Sequence, residues 1–240
     1  MDNKEGWLNP EAAENYARTV DLIVPQRKEI LSIISRLAIE LGSENPEIID
    51  LGCGLGDVTA EIVKLKPDVK VLMVDFSDEM IRRSGERFGA NKNISVLKRD
   101  LNLGISGITG EREFDAVVSC FALHHMEFEH RIKLYSEIHA VLKEGGLFIN
   151  GDLFKEDSPI IDEWEYDQNM ASLLLVLKEK LGQDWTFDEL KLNRLEHGKK
   201  MGDKPGTIWD MFRDMKAAGF GYVDCVWKFR NLAIMAASKI

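Results

Sequence analysis

The 240-residue sequence predicts an α/β fold, a doubly wound and mostly parallel sheet with helices on both faces. Between residues 46 and 152, short and nearly continuous apolar runs alternate with segments of helical periodicity. This is the pattern of strands buried on both faces of a parallel sheet. Between residues 153 and 204 the helical periodicity continues without strands, which predicts a helical insertion. The composition, with 45% hydrophobic and 30% charged residues, is typical of a soluble globular chain.

The first elements follow from local signals. Residues 1–45 are predicted to be helical, with apolar residues at helical spacing over 27–41 and Gly42 as a stop signal. Five apolar runs then predict strands, at 48–51, 69–74, 94–97, 114–119 and 147–150. The helices between them are predicted over 57–65, from Ser77 onward, and through Leu134 to a stop at Gly145 and Gly146.

The C-terminal part begins with the insertion, where helices are predicted over 164–181 and 187–200. A last core helix follows over 205–218, with Pro205 in its first turn and Gly219 at its end, so that the insertion and this helix fill 153–219. Two runs at 222–228 and 232–237 predict a closing hairpin within 220–240. The insertion is interpreted either as a lid over a substrate or as additional core or a dimer surface.

Charge and cysteine content disfavour several classes of protein. The net charge of −10 argues against a broad nucleic-acid-binding face, which depends on Lys and Arg. The longest apolar runs, such as 173–177 and 232–237, are far shorter than the roughly 20 residues of a membrane span, and the N-terminus lacks the basic start of a signal peptide. Three widely spaced cysteines provide neither a disulfide framework nor a CxxC metal-binding pair. We therefore expect a cytoplasmic protein without a metal. We also expect a monomer or a homodimer, between which the sequence does not decide.

The segment 48–57, Ile-Ile-Asp-Leu-Gly-Cys-Gly-Leu-Gly-Asp, joins a predicted strand to a predicted helix. Glycines at such a turn let the backbone approach a ligand closely, and the helix start offers free N–H groups. A dinucleotide fold requires G-x-G-x-x-G, but here the third glycine comes one residue early and Asp57 takes its place. Asp50 and Asp57 put carboxylates on both sides of the loop, which disfavours a pyrophosphate and suits a ligand with an ammonium and a sulfonium.

Two further acids end the next two predicted strands. Asp75 ends the second strand, where its carboxylate can accept hydrogen bonds from both hydroxyls of a ribose. Asp100 follows the third strand, where it can accept from an adenine amino group. Each acid alone is more simply a helix cap or a solvated loop end. Acids at three successive strand ends, with the glycine loop on the first, favour an adenosine cofactor.

In this order and spacing, the segments 50–56, 74–77, 99–101, 114–119 and 142–146 resemble the motifs of class I S-adenosylmethionine (SAM)-dependent methyltransferases. The match covers residues 46–152, which would be the cofactor-binding core of a single methyltransferase domain over 1–240. The resemblance implies a seven-stranded sheet whose last strand is antiparallel, consistent with the closing hairpin. It also implies SAM as the cofactor and S-adenosylhomocysteine (SAH) as the product.

The resemblance also implies roles for individual residues. Gly52 and Gly54 would line the methionine part of the cofactor and Asp75 would hold its ribose. Phe76 and Met80 would flank the adenine, which Asp100 and the amide of Leu101 would recognise. The N-terminal helices often close over the cofactor in this family. The complete predicted set is Asp50, Gly52, Cys53, Gly54, Asp75, Phe76, Met80, Asp100, Leu101 and Cys120, with Tyr16 and Arg27 from the N-terminal helices.

The methyl acceptor is predicted to be a small, partly apolar molecule. His124 and His125 follow the fourth strand, at the end of the sheet where ligands bind, and either is a candidate base because histidine titrates near neutrality. Alternatively, one caps the next helix and the other packs against the insertion. No Asn-Pro-Pro-Tyr motif follows the strand and no Pro-Cys nucleophile is present, which disfavours methylation of adenine, glutamine or cytosine.

Other functions stay open at this stage. The insertion and the end of the chain are similar, more weakly, to the enzyme that makes carboxy-SAM for the modification of wobble uridine in tRNA. In that enzyme an arginine of the insertion binds the added carboxylate, which implies a substrate-binding role for Arg194. A subunit that binds the cofactor without catalysis is a further alternative. A nicotinamide dehydrogenase is disfavoured by the glycine spacing and by Asp50.

Overall fold

In the computed structural model, which describes residue 7 and residues 10–240, seven strands form one mixed sheet with the order β3-β2-β1-β4-β5-β7-β6. Strand β7 is antiparallel to both of its neighbours, and the other neighbouring pairs are parallel. The predicted doubly wound sheet with an antiparallel last strand is confirmed. The strands are β1 (Glu47–Leu51), β2 (Lys70–Asp75), β3 (Ile94–Lys98), β4 (Phe114–Cys120), β5 (Leu142–Leu153), β6 (Tyr222–Phe229) and β7 (Leu232–Ser238).

Helices connect these strands and cover the sheet. In the described part of the chain they are α1 (Pro10–Ile23), α2 (Arg27–Glu40), α3 (Asp57–Leu65), α4 (Asp78–Phe88), α5 (Ser106–Thr109), α6 (Phe128–Val141), α7 (Pro159–Leu181), α8 (Phe187–Met201) and α9 (Ile208–Ala217). Among these, none is both long and apolar enough to cross a bilayer.

The sheet separates two apolar cores, which explains the continuous apolar character of its strands. Ile48 and Ile49 are adjacent in β1 and both are fully buried, yet they belong to different cores. Ile48 packs in the core that contains Ile34 of α2, and Ile49 in the core that contains Leu134 of α6. Because alternate residues of a strand point to opposite faces, a strand covered on both sides needs apolar residues at every position.

The insertion forms a helical hairpin of α7 and α8 with a small core of its own. Met170, Leu173 and Leu177 of α7 pack with Leu190 of α8, and Ile23 at the end of α1 packs against them. The N-terminal helix and the insertion therefore meet. In the sheet itself, β1 and β4 lie side by side, although the chain continues from β1 to β2 on the other side of β1. Open α/β sheets bind ligands at such a switch point.

Several predicted boundaries are wrong. Helix α7 begins at Pro159 and not at residue 164, and β5 covers Leu142–Leu153 and not only 147–150. Helix α6 ends at Val141 and not at Gly145 and Gly146, because the fully buried Leu142 already pairs with Phe114 of β4. Helix α9 begins at Ile208 and not at Pro205. The Thr207 hydroxyl accepts a hydrogen bond from the Asp210 backbone N–H, and the Asp210 carboxylate accepts one from the Thr207 backbone N–H. This capping box fixes the first turn two residues after the proline.

Candidate active site

The glycine loop between β1 and α3 holds three glycines in the left-handed conformation. The φ angles are 65° at Gly52, 51° at Gly54 and 77° at Gly56. A Cβ atom at Gly52 would collide with the side chain of Ala122, and one at Gly56 would lie 2.5 Å from Phe88. At Gly54, by contrast, no atom lies within 4 Å of the position of a Cβ. Two of the glycines are therefore required by packing, whereas a side chain at Gly54 would enter open space.

That open space belongs to a cavity of about 110 Å³ at the ends of β1, β2 and β4, called here the cofactor cavity. The structure brings every residue of the predicted cofactor set to its wall. These are Tyr16, Arg27, Asp50, Gly52, Cys53, Gly54, Asp75, Phe76, Met80, Asp100, Leu101 and Cys120.

Asp75 ties the glycine loop to the end of β2. Its Oδ2 accepts a hydrogen bond from the Gly54 N–H and its Oδ1 accepts one from the Ser77 N–H, both at 2.9 Å. Burial raises the pKa of Asp75, although these backbone donors oppose the rise. Each carboxylate oxygen has a further lone pair, so the side chain can also accept from a ligand in the cavity.

The two acids that flank the glycine loop have partners within the protein. Asp50 is 1% exposed and accepts a hydrogen bond of 2.6 Å from the hydroxyl of Thr59, and burial raises its pKa to about 7. Asp57 lies 2.6 Å from the guanidinium groups of both Arg27 and Arg87. Burial acts to raise the pKa of Asp57, but these two arginines outweigh it and lower the pKa. Arg27 and Arg87 thus neutralise part of the negative charge at the loop, which the sequence alone does not indicate.

Arg27 connects the loop to the N-terminal helices. It is 7% exposed, and its second ion pair, of 2.6 Å, is with Asp21 of α1. Tyr16 of α1 lies beside it, and burial raises the pKa of this tyrosine to about 12 even though Arg27 acts in the opposite direction. The phenol is therefore neutral at physiological pH.

A second and larger cavity, of about 340 Å³, lies between the sheet and helices α1, α7 and α8, and is called here the acceptor cavity. It shares wall residues with the cofactor cavity, so the two adjoin. Arg194 of α8 lines the acceptor cavity and is not among the residues that line the cofactor cavity. The shared residues are Trp7, Tyr16, Phe121, His125 and Met201.

Both predicted histidines lie at this junction, on a short 3-10 turn after β4. His124 is 7% exposed, and its Nδ1 lies 2.5 Å from Oδ1 of Asp152, whose Oδ2 accepts the backbone N–H of His124 at 3.1 Å. Its Nε2 lies 3.8 Å from Oδ1 of Asp203, and Nδ1 of His125 lies 3.2 Å from the same oxygen. The two imidazole rings are 3.9 Å apart between centroids.

The charge states of this group differ. Burial acts to lower the pKa of His124, but the adjacent Asp152 carboxylate outweighs it and raises the pKa. Burial and the neighbouring His124 lower the pKa of His125, so this ring is neutral at physiological pH. Burial acts to raise the pKa of Asp203, but the two histidines outweigh it and keep this side chain a carboxylate.

Comparison with known proteins agrees with this geometry. Residues 48–146 match the family model described as a methyltransferase domain. Residues 48–146 are a methyltransferase domain. The carboxy-S-adenosyl-L-methionine synthase of Pseudoalteromonas translucida is 24% identical over 242 residues, which cover 98% of this chain and 94% of that protein. The predicted family, with its weaker similarity to carboxy-SAM synthases, is confirmed, and so are the enzyme class and the SAM cofactor that define it.

Solved structures share the fold. Human N-acetylserotonin methyltransferase in complex with SAM superposes with a TM-score of 0.62 at 15% identity, over 96% of this chain and 56% of that one. An O-methyltransferase family protein from Burkholderia thailandensis gives a TM-score of 0.64 at 13% identity, over 96% and 59% of the two chains. The chain therefore spans less than two thirds of the length of these solved proteins.

The cofactor cavity of the methyltransferase domain fits SAM by its own chemistry. Asp75 offers buried acceptor oxygens at the end of β2, as a ribose requires. A side chain at position 54 would project into this cavity, so the glycine leaves the space free for a ligand. Cys53 is buried and Cys120 is half-buried, and burial raises the pKa of both thiols well above its ordinary value, so neither thiol is an ionised nucleophile beside the sulfonium.

Asp152 and Asp203, which lie in the candidate active site, are missing from the sequence-based prediction. Asp152 holds His124, and Asp203 lies beside both histidines at the start of the segment that joins α8 to α9. Asp152 follows the predicted fifth strand. It could have been predicted, as Asp75 and Asp100 were, from the position of an acid at the end of a strand. Asp203 carries no comparable signal, because its place depends on how the insertion folds back over the sheet.

Proposed function

We propose that the chain transfers the methyl group of SAM to a small molecule bound in the acceptor cavity. The observation that carries this proposal is the shared wall of the two cavities, where His125, Tyr16 and Phe121 line both. A cofactor in one cavity and an acceptor in the other would meet at this wall. Methyl transfer by in-line displacement depends mainly on such positioning and on the exclusion of water.

The cofactor cavity supplies the binding interactions in this proposal. SAM brings a methyl group on a positively charged sulfur, which makes the methyl carbon an electrophile. Asp75 holds the ribose hydroxyls, and Met80 and Phe76 enclose the adenine, whose edge Asp100 and Leu101 recognise. The loop at Gly52, Cys53 and Gly54, with Asp50 below it, receives the methionine part. Tyr16, Arg27 and Cys120 close the remaining sides.

His124 and His125 activate the acceptor. Asp152 holds Nδ1 of His124, and Nε2 of the same ring lies 3.8 Å from Asp203, a residue that lines the acceptor cavity. A hydroxyl, thiol or amine loses a proton when it is methylated. The groups at the junction are placed to remove that proton or to lower the pKa of the acceptor group. Asp152 is a positioning residue, since it acts through His124.

The lining of the acceptor cavity indicates what the acceptor looks like. Leu22, Ile23 and Leu173 contribute apolar surface, and Arg194 contributes a positive charge. A small, partly apolar molecule that carries an anionic group would match both. Arg194 would then bind that anionic group.

A second candidate function is the synthesis of carboxy-SAM, in which the cofactor itself is modified. The relatives favour it, because the alignment with the Pseudoalteromonas translucida enzyme covers nearly all of both chains. Arg194 would in that case meet the added carboxylate across the junction of the two cavities. The proposed function differs from this candidate in its product, since methyl transfer yields SAH and a methylated acceptor.

We also propose that the chain acts as a single domain in the cytoplasm, as a monomer or homodimer. All three cysteines are free thiols, as expected in a reducing compartment. The net charge of −10 supports a small-molecule acceptor over nucleic acid.

The test is mass spectrometry of the nucleoside released from freshly purified protein, with calorimetric titration of SAH and NAD. Bound SAM or SAH and a measurable affinity for SAH are expected. A nucleoside heavier by one carboxyl group would favour the second candidate instead. Binding of NAD, or of neither compound, would overturn both.

A further inference from the structure

Three ligand atoms converge at the junction of the two cavities. His124, His125 and Asp203 each offer one such atom, and these atoms lie within 4.8 Å of one another. The nitrogens that face Oδ1 of Asp203 are Nε2 of His124 and Nδ1 of His125. The distances from the Asp203 oxygen are 3.8 Å to the first nitrogen and 3.2 Å to the second. Two ligands of a tetrahedral metal ion, each about 2.0–2.1 Å from it, lie about 3.4 Å apart, which falls between these two distances.

The hydrogen bonding of the two histidines supports a ligand at this point. Among the residues that the structure describes, Nδ1 of His125 is buried without a hydrogen-bond partner, since the Asp203 oxygen 3.2 Å away is not aligned to accept from it. A buried polar nitrogen without a partner is costly and needs an explanation. On the other ring, Nδ1 of His124 is held by the Asp152 carboxylate. A carboxylate that orients a histidine in this way is typical of metal-binding histidines.

We propose that His124, His125 and Asp203 bind a divalent transition-metal ion that in turn binds the methyl acceptor, an inference that rests on the proposed function. Two imidazoles and one carboxylate suit zinc or a similar first-row ion. Magnesium and calcium are disfavoured, because they prefer oxygen ligands. Three protein ligands leave a coordination position open, as in catalytic zinc sites.

The open position would face the acceptor, because all three ligand residues line the acceptor cavity. A hydroxyl or thiol bound to the ion loses its proton more readily, as metal-bound water does. That proton passes to solvent through the acceptor cavity. The lone pair of the acceptor heteroatom then forms the bond to the methyl carbon while the carbon–sulfur bond breaks, and the sulfur leaves as a neutral thioether. The ion changes neither its charge nor its oxidation state.

The experiment measures metal binding directly. Full-length protein is stripped with a chelator, dialysed against a limiting series of zinc concentrations, and analysed for bound zinc per chain. Cobalt(II) replaces zinc in a parallel sample, because its visible absorption reports histidine and carboxylate coordination. We expect one ion per chain, and an affinity at least tenfold lower in His125→Ala and in Asp203→Asn. Asp152→Asn should weaken binding by about 10- to 100-fold without removing a ligand.

The control is His130→Ala, which removes an exposed histidine whose Nδ1 lies 3.0 Å from Asn102. It should bind zinc as the unaltered protein does. Zinc binding that is absent, or equal in the unaltered protein and in both ligand variants, would overturn the proposal. Calorimetry with SAH on the same samples distinguishes failure of the metal site from failure of the proposed function. SAH binding without zinc binding removes the metal alone, whereas loss of SAH binding in the unaltered protein removes the proposed function.

Discussion

The Asp152 carboxylate lies 2.5 Å from Nδ1 of His124 and also accepts the backbone N–H of the same residue. Asp152 is 3% exposed and His124 is 7% exposed, so this pair is shielded from solvent. The side chain and the backbone of His124 are therefore fixed by one carboxylate. The consequence is that Nε2, and not Nδ1, is available at the acceptor cavity.

Replacing Asp152 tests this orientation. Asp152→Asn keeps the size of the side chain but loses one of the two carboxylate acceptors, so His124 is no longer held in one tautomer. We expect kcat to fall by about 10- to 100-fold while KM for SAM is unchanged. Asp157→Asn, at an exposed position close by, is the matched control. An unchanged kcat in a folded Asp152→Asn protein would show that His124 does not act through Nε2.

Cofactor affinity should depend strongly on Asp75. Asp75→Ala removes the acceptors for the ribose and the anchor of the glycine loop at Gly54. Hydrogen bonds to a charged group are each worth about 1.5–3 kcal/mol, so the Kd for SAH should rise by at least about tenfold. Isothermal titration calorimetry measures it, and circular dichroism checks the fold. Asp68→Ala, which removes an exposed acid, should leave the Kd unchanged.

Gly54 offers a test of the cavity with a close control. An alanine there would place its methyl group in the cofactor cavity and would also have to adopt a φ of 51°. Gly182→Ala requires the same left-handed backbone but places no methyl group in a cavity. Gly182 has a φ of 64°, open space around a Cβ and no contact with either cavity. Both variants should lose about 1–2 kcal/mol of stability from the strained backbone. Only Gly54→Ala should weaken SAH binding in calorimetry, and equal affinities would place the cofactor elsewhere.

The sequence predicts the sheet and the cofactor cavity well because both depend on local patterns. The adjacent apolar residues of β1 reveal a strand covered on both faces. The glycines at 52, 54 and 56 reveal a turn, and Asp75 and Asp100 follow from the positions at which their strands end. Each of these signals lies within a few residues of the structure it predicts.

Other features depend on contacts between distant segments. Leu142 belongs to a strand because it pairs with Phe114, and no pattern around Leu142 shows this. Asp57 appears in the sequence as a free acid, but Arg87, thirty residues away, pairs with it. Asp203 follows α8 and lies 3.2 Å from His125, although the two residues are far apart in the sequence. The sequence therefore predicts His124, His125 and Arg194 of the acceptor side one by one, but not that Asp203 lies beside the two histidines.

Arg194 separates the two candidate functions. Because it lines the acceptor cavity and not the cofactor cavity, Arg194→Ala should leave the Kd for SAH unchanged and should raise KM for an anionic acceptor by about tenfold or more. Lys200→Ala, an exposed cation of the same helix, should alter neither quantity. If methyl transfer to the acceptor is unchanged and the variant instead loses a copurified carboxylated nucleoside, carboxy-SAM synthesis becomes the better assignment.

The buried Asp50 should make the stability of the protein depend on pH. Its pKa rises from an ordinary value of 3.8 to about 7 on folding, mainly through burial. Between these values the folded state binds more protons than the unfolded state, so the free energy of unfolding should fall as the pH rises from about 4 to about 7 and then level off. One pKa unit corresponds to about 1.4 kcal/mol, which sets an upper limit of about 4 kcal/mol on this loss.

Asp50→Asn cannot ionise and can still accept the hydrogen bond of Thr59. Urea unfolding at several pH values should therefore show the unaltered protein losing stability relative to Asp50→Asn over this range, whereas Asp68→Asn should follow the unaltered protein. A difference between the unaltered protein and Asp50→Asn that is constant from pH 4 to pH 8 would mean that Asp50 stays ionised in the folded state, held by a cation or a donor beyond Thr59.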